Sequence, residues 1–317
     1  MDSSSEADSP ALAPRPRSRP HAPGSRSHAQ AAQHEPNSAA QRVRPVRVLA
    51  LSTSGTWCSV ALYRHGFGDD DSDCISEPLG AQQSMNILAM VDELCRGARI
   101  ELAELDAIAF DAGPGSFTGL RIGCAVAQGL GFALDRPLVA VDSLRALAWQ
   151  RVRFGTAEAI VLAANDARMD ELYVAMYRIG PVPGEASGAN AAALLETLEA
   201  PRIVARARFV DEIDEWLRTH RPLAGADALL RAGDAWVHAP TALAWDARFG
   251  TIGPPAPVAD DAYVRADALA ELGCADWHAG RAIPASQAAP RYLRDKVALD
   301  HDEQRAARER AEADSRE

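Results

Sequence analysis

Residues 117–134, FTGLRIGCAVAQGLGFAL, read as a helix that carries four glycines, at 119, 123, 129 and 131. Each interior glycine costs a helix about 1 kcal/mol against alanine, so such a helix persists only where something must approach its backbone closely. With Ala125 and Ala127 included, many of the small residues stand four apart. A short strand, DAIAFDAG (106–113), feeds this helix through Gly113-Pro114-Gly115. A strand delivered by a tight loop into a helix is the unit of a layered α/β fold.

The loop itself has two readings. Ser116 or Thr118 can cap the helix, with the glycines letting two backbones meet. Alternatively, the free amides of the helix start can hold an anion, which makes Gly113, Gly115, Ser116 and Thr118 the candidate anion-site residues. The loop is not a phosphate-binding GxxxxGK[ST] motif, because no lysine follows it; Arg121 stands one turn in. The small-residue helix also has two readings: packing within one chain, or contact with a helix of another protein. A membrane GxxxG reading fails on Arg121 and Gln128. No run of about 18 uncharged apolar residues is found, so no membrane span is expected. Nor does the N-terminus carry an apolar signal core.

The rest of the chain fits the same architecture. VRVLALSTSG (46–55) and WCSVALYRHG (57–66) read as a hairpin, PLVAV (137–141) as a strand, and SLRALAWQRV (143–152) as a helix capped by Ser143. EAIVLAAND (158–166) and ELYVAMYRIG (171–180) read as a second hairpin across a charged tip. An insert follows near 181–207, then a helix at 208–220, a short strand or turn at 222–227, a linker at 253–260 and a helix at 260–280 closed by Gly280. SMNILAMVDELCRGA (84–98) is a helix with five consecutive apolar residues, Ile87 to Val91. Ile87, Val91 and Leu94 can face a core, which leaves Met85, Leu88, Cys95 and Ala89 on a flank that needs a cover.

Apolar residues make up 47% of the 317, enough for a core, and the net charge of −11 argues against a chain that grips nucleic acid by itself. Five cysteines without a CxxC pair suit a reducing cytoplasm. The eight histidines are scattered and form no metal-binding or triad pattern. Residues 1–44, rich in Ser, Pro, Ala and Arg, read as a disordered tail, and 301–317 as a charged tail.

Four segments in order resemble the TsaB (YeaZ) family: VLALSTSGTWCSVALYRHG (48–66), GPGSFTGLRIGCAVAQGLGFALDRPLVAVDSLRALA (113–148), NDARMDELYVAMY (165–177) and APRYLRDKVA (289–298). The resemblance implies an α/β fold of the actin/Hsp70/sugar-kinase (ASKHA) kind with two similar domains. These would be 45–155 with a returning helix at 259–280, and 156–258 with 281–300. It implies a non-catalytic subunit in making N6-threonylcarbamoyladenosine at position 37 of tRNA. The partner TsaD transfers the threonylcarbamoyl group, and the small ATPase TsaE joins the assembly. The chain would need no cofactor of its own, ATP and metal belonging to the partner subunits, and would meet tRNA only through the complex. Helices 84–98 and 117–134 would form the TsaD contact, which places Met85, Leu88, Ala89, Cys95, Gly119, Gly123, Ala127 and Gly131 at the interface; a bulky residue at Gly123 is expected to weaken it. Without TsaD, the same helices could pair in a homodimer.

Two departures from the catalytic relatives stand out. Ser52-Thr53 replaces the Asp-Thr that ends the usual first strand, so no carboxylate is there to organise a metal. Gln83 and Ser84 stand where TsaD begins its metal-binding His pair. The competing reading is an actin-like-fold ATP-dependent enzyme or a glycoprotease-type peptidase, and both departures weigh against it.

Overall fold

The computed structural model describes residues 44–67, 70–154, 158–180, 188–220, 228–237, 239–249 and 262–294. Almost all of the 1–44 tail, the 222–227 strand or turn, the 253–260 linker, the 301–317 tail and the end of the 289–298 motif lie outside them.

The fold is built twice from one plan. In the first half, β1 (Val46–Ser52), β2 (Cys58–His65), β3 (Asp71–Glu77), β4 (Ala107–Gly113) and β5 (Leu138–Asp142) form a sheet in the order β3-β2-β1-β4-β5. β1 runs antiparallel to β2 and parallel to β4. In the second half, β6 (Ala159–Arg168), β7 (Glu171–Ile179), β8 (Leu195–Ala205) and β9 (Ala228–Ala232) repeat that order as β8-β7-β6-β9, with β6 antiparallel to β7 and parallel to β9. This duplicated mixed sheet is the ASKHA arrangement.

Strand periodicity sorts the core into layers. Leu49 and Leu51 of β1 face α1 (Gln83–Ala98) and α2 (Phe117–Leu134), while Val48 and Ala50 face the opposite way, toward α7 (Ala266–His278). α3 (Ser143–Val152) lies beside α7 and packs on β6, β7 and β9, so this helix pair fills the space between the sheets. The outer face of the second sheet is covered by α5 (Phe209–His220), a short turn carrying Trp236, and α6 (Ala239–Phe249) around Trp216 and Trp245. A short α4 (Gly188–Ala192) packs on α7.

The α3/α7 seam is bolted by charge. Arg145 donates both to Asp276 Oδ1 at 2.9 Å and to Oδ2 at 2.8 Å. Trp149 Nε1 donates to Glu271 at 2.6 Å, and Arg153 donates to Asp267 at 2.7 Å and to Glu271 at 3.2 Å. These acceptors are buried, so each bond acts in a low dielectric.

Several elements differ from the sequence reading. β3 was not expected, because its polar residues line a half-exposed sheet edge. The stretch read as an insert contains α4 and β8, and α6 and β9 were also missed. α7 begins at Ala266 rather than at 260. The cap of α3 is Asp142, whose carboxylate accepts the Arg145 amide at 3.0 Å; Ser143 turns inward instead. Residues 283–288, grouped by sequence with the second domain, pack on the first: Ile283 pairs with Leu138, and Gln128 of α2 donates to the Ala288 carbonyl at 3.0 Å. α2 also proves long and apolar enough to cross a membrane by length and composition alone. Its inner face, however, packs on β4 and β1.

Candidate functional site

The loop after β4 is locked to the end of β1. Gly113 has φ 102°, and a Cβ there would lie 2.9 Å from the Arg291 carbonyl oxygen. Gly119 is more constrained still, since its Cβ would fall 1.9 Å from the Thr53 carbonyl oxygen. The Ser116 amide donates to the Ser54 carbonyl at 2.7 Å, and the Gly119 amide to Ser116 Oγ at 3.3 Å. Thr53 Oγ1 donates to the Gly119 carbonyl at 2.7 Å. Two amides of the α2 start therefore already have acceptors inside the chain, and Ser116 is the cap. Of the four candidate anion residues, Gly113 is buried, Gly115 abuts Ser54, Ser116 caps, and Thr118 is exposed.

Beneath the loop sits a carboxylate that sequence reasoning missed. Asp111 is buried on β4 and accepts hydrogen bonds from Ser52 Oγ at 2.9 Å, from the Gly113 amide at 3.1 Å and from the Ser143 hydroxyl. Burial pushes its pKa up, against the pull of these donors. Asp142, half-buried nearby, is pushed up to about 6, chiefly by desolvation and further by the Asp111 charge. The sequence carries a local signal: FDAGPG puts an aspartate in an apolar strand two residues before a glycine. Ser52 thus uses its hydroxyl on Asp111. Among the described residues, no group of three or more His, Cys, Asp or Glu side chains is arranged to hold a metal.

A cleft of about 540 Å3 opens over this loop, bounded by Ser54, Ser116, Asn165, Tyr173, Asp234 and Arg291. Trp57 and Tyr263 stack at its side, with ring centroids 4.3 Å apart. The hairpin tip at its rim is charged, as expected. There Arg168, Met169 and Asp170 all have positive φ, a strained turn for residues other than glycine.

The second feature is the outer surface of α1 and α2. Met85 is 82% exposed, Leu88 54% and Phe132 64%. Ala89, Ala125 and Gly129 on the same two helices are also exposed, and a Cβ on Gly129 would meet nothing within 4 Å. The expected interface set divides here. Met85, Leu88 and Ala89 are on this surface. Cys95, Gly119, Gly123, Ala127 and Gly131 are not: all five are buried in the chain's own packing. Gly123 faces Thr53 Oγ1, where a Cβ would lie 2.7 Å away, and Gly131 faces Leu138 and Ala285. Their small size serves the contact of α2 with its own sheet, so a bulky residue at 123 would disturb that contact first.

A family model described as "TsaD: tRNA N6-adenosine threonylcarbamoyltransferase" matches residues 78–298. The tRNA threonylcarbamoyladenosine biosynthesis protein TsaB of Haemophilus influenzae is 42% identical over 126 residues, which is 40% of this chain and 51% of that protein. TsaB of Escherichia coli is 38% identical over 133 residues, 42% of this chain and 55% of that protein. The solved structure of YeaZ from Pseudomonas aeruginosa covers 78% of this chain over its whole length, with 31% identity and a TM-score of 0.57. A second Pseudomonas aeruginosa structure, described as similar to peptidase YEAZ, has 32% identity, the same coverage and a TM-score of 0.60. The chain belongs to the TsaB (YeaZ) family. Through residues 78–298 it also falls within the wider family of the TsaD model. It spans about half the length of the curated relatives that it matches.

Proposed function

We propose that the chain is a non-catalytic, activating subunit in the biosynthesis of tRNA N6-threonylcarbamoyladenosine, and that it docks onto a TsaD-type subunit through the outer surface of α1 and α2. The observation that carries this reading is the exposure of Met85, Leu88 and Phe132 beside the open Ala125 and Gly129. Exposed apolar side chains around small residues suit close approach by a partner helix. The names of the TsaB relatives supply the pathway. In this reading TsaE joins the pair, tRNA is met through the complex, ATP and metal are held by the partner subunits, and the assembly works in the cytoplasm. Ser52, whose hydroxyl is spent on Asp111, offers no carboxylate of its own, which supports the reading of a subunit without independent chemistry.

The test is light scattering after size exclusion, with the chain alone and mixed with the TsaD-type subunit of the same organism. A one-to-one complex is expected, and Leu88→Glu should abolish it while leaving the circular dichroism spectrum unchanged. A self-paired dimer of the free chain that the partner displaces would fit the same surface. Two unchanged peaks would overturn the reading.

A further inference from the structure

The first turns of α2 hold an arginine clasped by two aromatic residues. The Arg121 guanidinium carbon lies 3.7 Å from the centroid of the Phe117 ring, and its Nε donates to Tyr292 Oη at 3.0 Å. The Phe117 and Tyr292 rings are themselves 5.4 Å apart. Tyr292 is held in place by a strap: Ile283 pairs with Leu138, Gln128 bonds the Ala288 carbonyl, and the Arg291 amide donates to the Ala112 carbonyl at 2.7 Å. The guanidinium is thus fixed in direction by groups from two distant parts of the sequence.

What it lacks is a counter-charge. Arg145, Arg153, Arg178, Arg206 and Arg294 each meet a carboxylate. Arg121 makes no ion pair among the described residues, and its two terminal nitrogens have no acceptor there, in a chain of net charge −11. Helix stability does not explain it, because a cation near a helix N-terminus gains nothing from the helix dipole. Ordering an arginine also costs side-chain entropy. A planar fork held rigid with its terminal nitrogens free is pre-organised for a two-bond contact with a carboxylate.

Position supplies the partner. Thr118, Arg121, Ala125, Gly129 and Phe132 are exposed and recur three or four apart, so Arg121 shares a helix face with the two open small residues. One helical turn, about 6 Å, separates it from Ala125. We propose that Arg121 is the charge anchor of the docking surface, taking the carboxylate of an Asp or Glu on the partner subunit's helix that packs over Ala125 and Gly129. This rests on the docking reading above and adds what the partner must carry: an acidic side chain about one turn from its point of closest approach.

The experiment is titration calorimetry of the TsaD-type subunit against the wild-type chain, Arg121→Met, Arg121→Glu, Tyr292→Phe and Leu88→Glu, at low and high salt. Circular dichroism checks the fold of each variant. Arg121→Met should weaken binding about 30-fold at low salt and remove most of the salt dependence. Arg121→Glu should weaken it further and be rescued by reversing one acidic residue on the partner, while Tyr292→Phe should give a smaller loss. If Leu88→Glu abolishes binding but Arg121→Glu binds within about twofold of wild type with the same salt slope, the anchor is overturned and the docking reading stands. If Arg121→Glu leaves the protein complex intact but lowers its retention of tRNA, the guanidinium takes a phosphate and the proposal also falls. If the wild-type chain does not bind the partner, both fall together.

Discussion

Two helix pairs flank the first sheet, and the chain treats them in opposite ways. α3 and α7, on the inner side, are joined by buried ion pairs from Arg145 to Asp276 and from Arg153 to Asp267 and Glu271, and by a hydrogen bond from Trp149 to Glu271. α1 and α2, on the outer side, bury Ile87, Val91, Leu94, Cys124 and Ala127 against the sheet and leave Met85, Leu88 and Phe132 in the open. The inner pair has its apolar groups and the carboxylates of Asp267, Glu271 and Asp276 partnered within the chain. The outer pair is satisfied on one side alone. A helix face that carries apolar side chains and bare glycine but no cover is an unfinished contact.

The largest effect that breaks this contrast is on the inner face of α2. Gly119→Ala puts a Cβ against the Thr53 carbonyl and should lower stability by more than about 3 kcal/mol, or prevent folding, as read by thermal denaturation. Next comes the seam. Arg153→Met leaves Glu271 and Asp267 each short of a buried partner and should cost about 3 kcal/mol in urea unfolding.

Asp142 gives a smaller, pH-dependent effect. Its pKa in the folded chain is about 6, above the ordinary aspartate value of 3.8, so the folded state holds the proton more tightly. Stability from this group is therefore greatest below about pH 4, falls as pH rises to about 6, and is flat above that. Asp142→Asn keeps an acceptor for the Arg145 amide and should flatten that slope while raising stability at pH 8 by about 1 kcal/mol. The smallest effect is on the outer face. Gly129→Ala meets no atom and should raise stability by up to about 1 kcal/mol, the reverse of Gly119→Ala on the same helix.

That last pair shows where the sequence was legible and where it was not. The bounds of α2 and α3, both hairpins and the α/β alternation could be read from periodicity and turn residues, and the duplicated plan from the family resemblance. The existence of small-residue rows on α2 could be read too. Which row faces inward could not: 119, 123, 127 and 131 form one row, 125 and 129 another, and two residues' offset turns a helix by about 200°. Only the position of β1 and its Thr53 carbonyl distinguishes them. The exposed apolar residues Met85 and Leu88 were legible because five apolar residues in a row overfill one helix face. β3 and β8 escaped because edge strands need no apolar alternation. Asp111 escaped because its three hydroxyl and amide partners come from positions 52, 113 and 143, which only the fold assembles.

The most direct measurement is amide hydrogen exchange on the chain with and without the TsaD-type subunit, compared between the two helix pairs. Docking on the outer surface predicts new protection across 84–97 and 118–133 when the partner is added, with the slow exchange of 143–152 and 266–278 unchanged. Protection confined to the cleft or to the second sheet, with α1 and α2 exchanging as before, would contradict it.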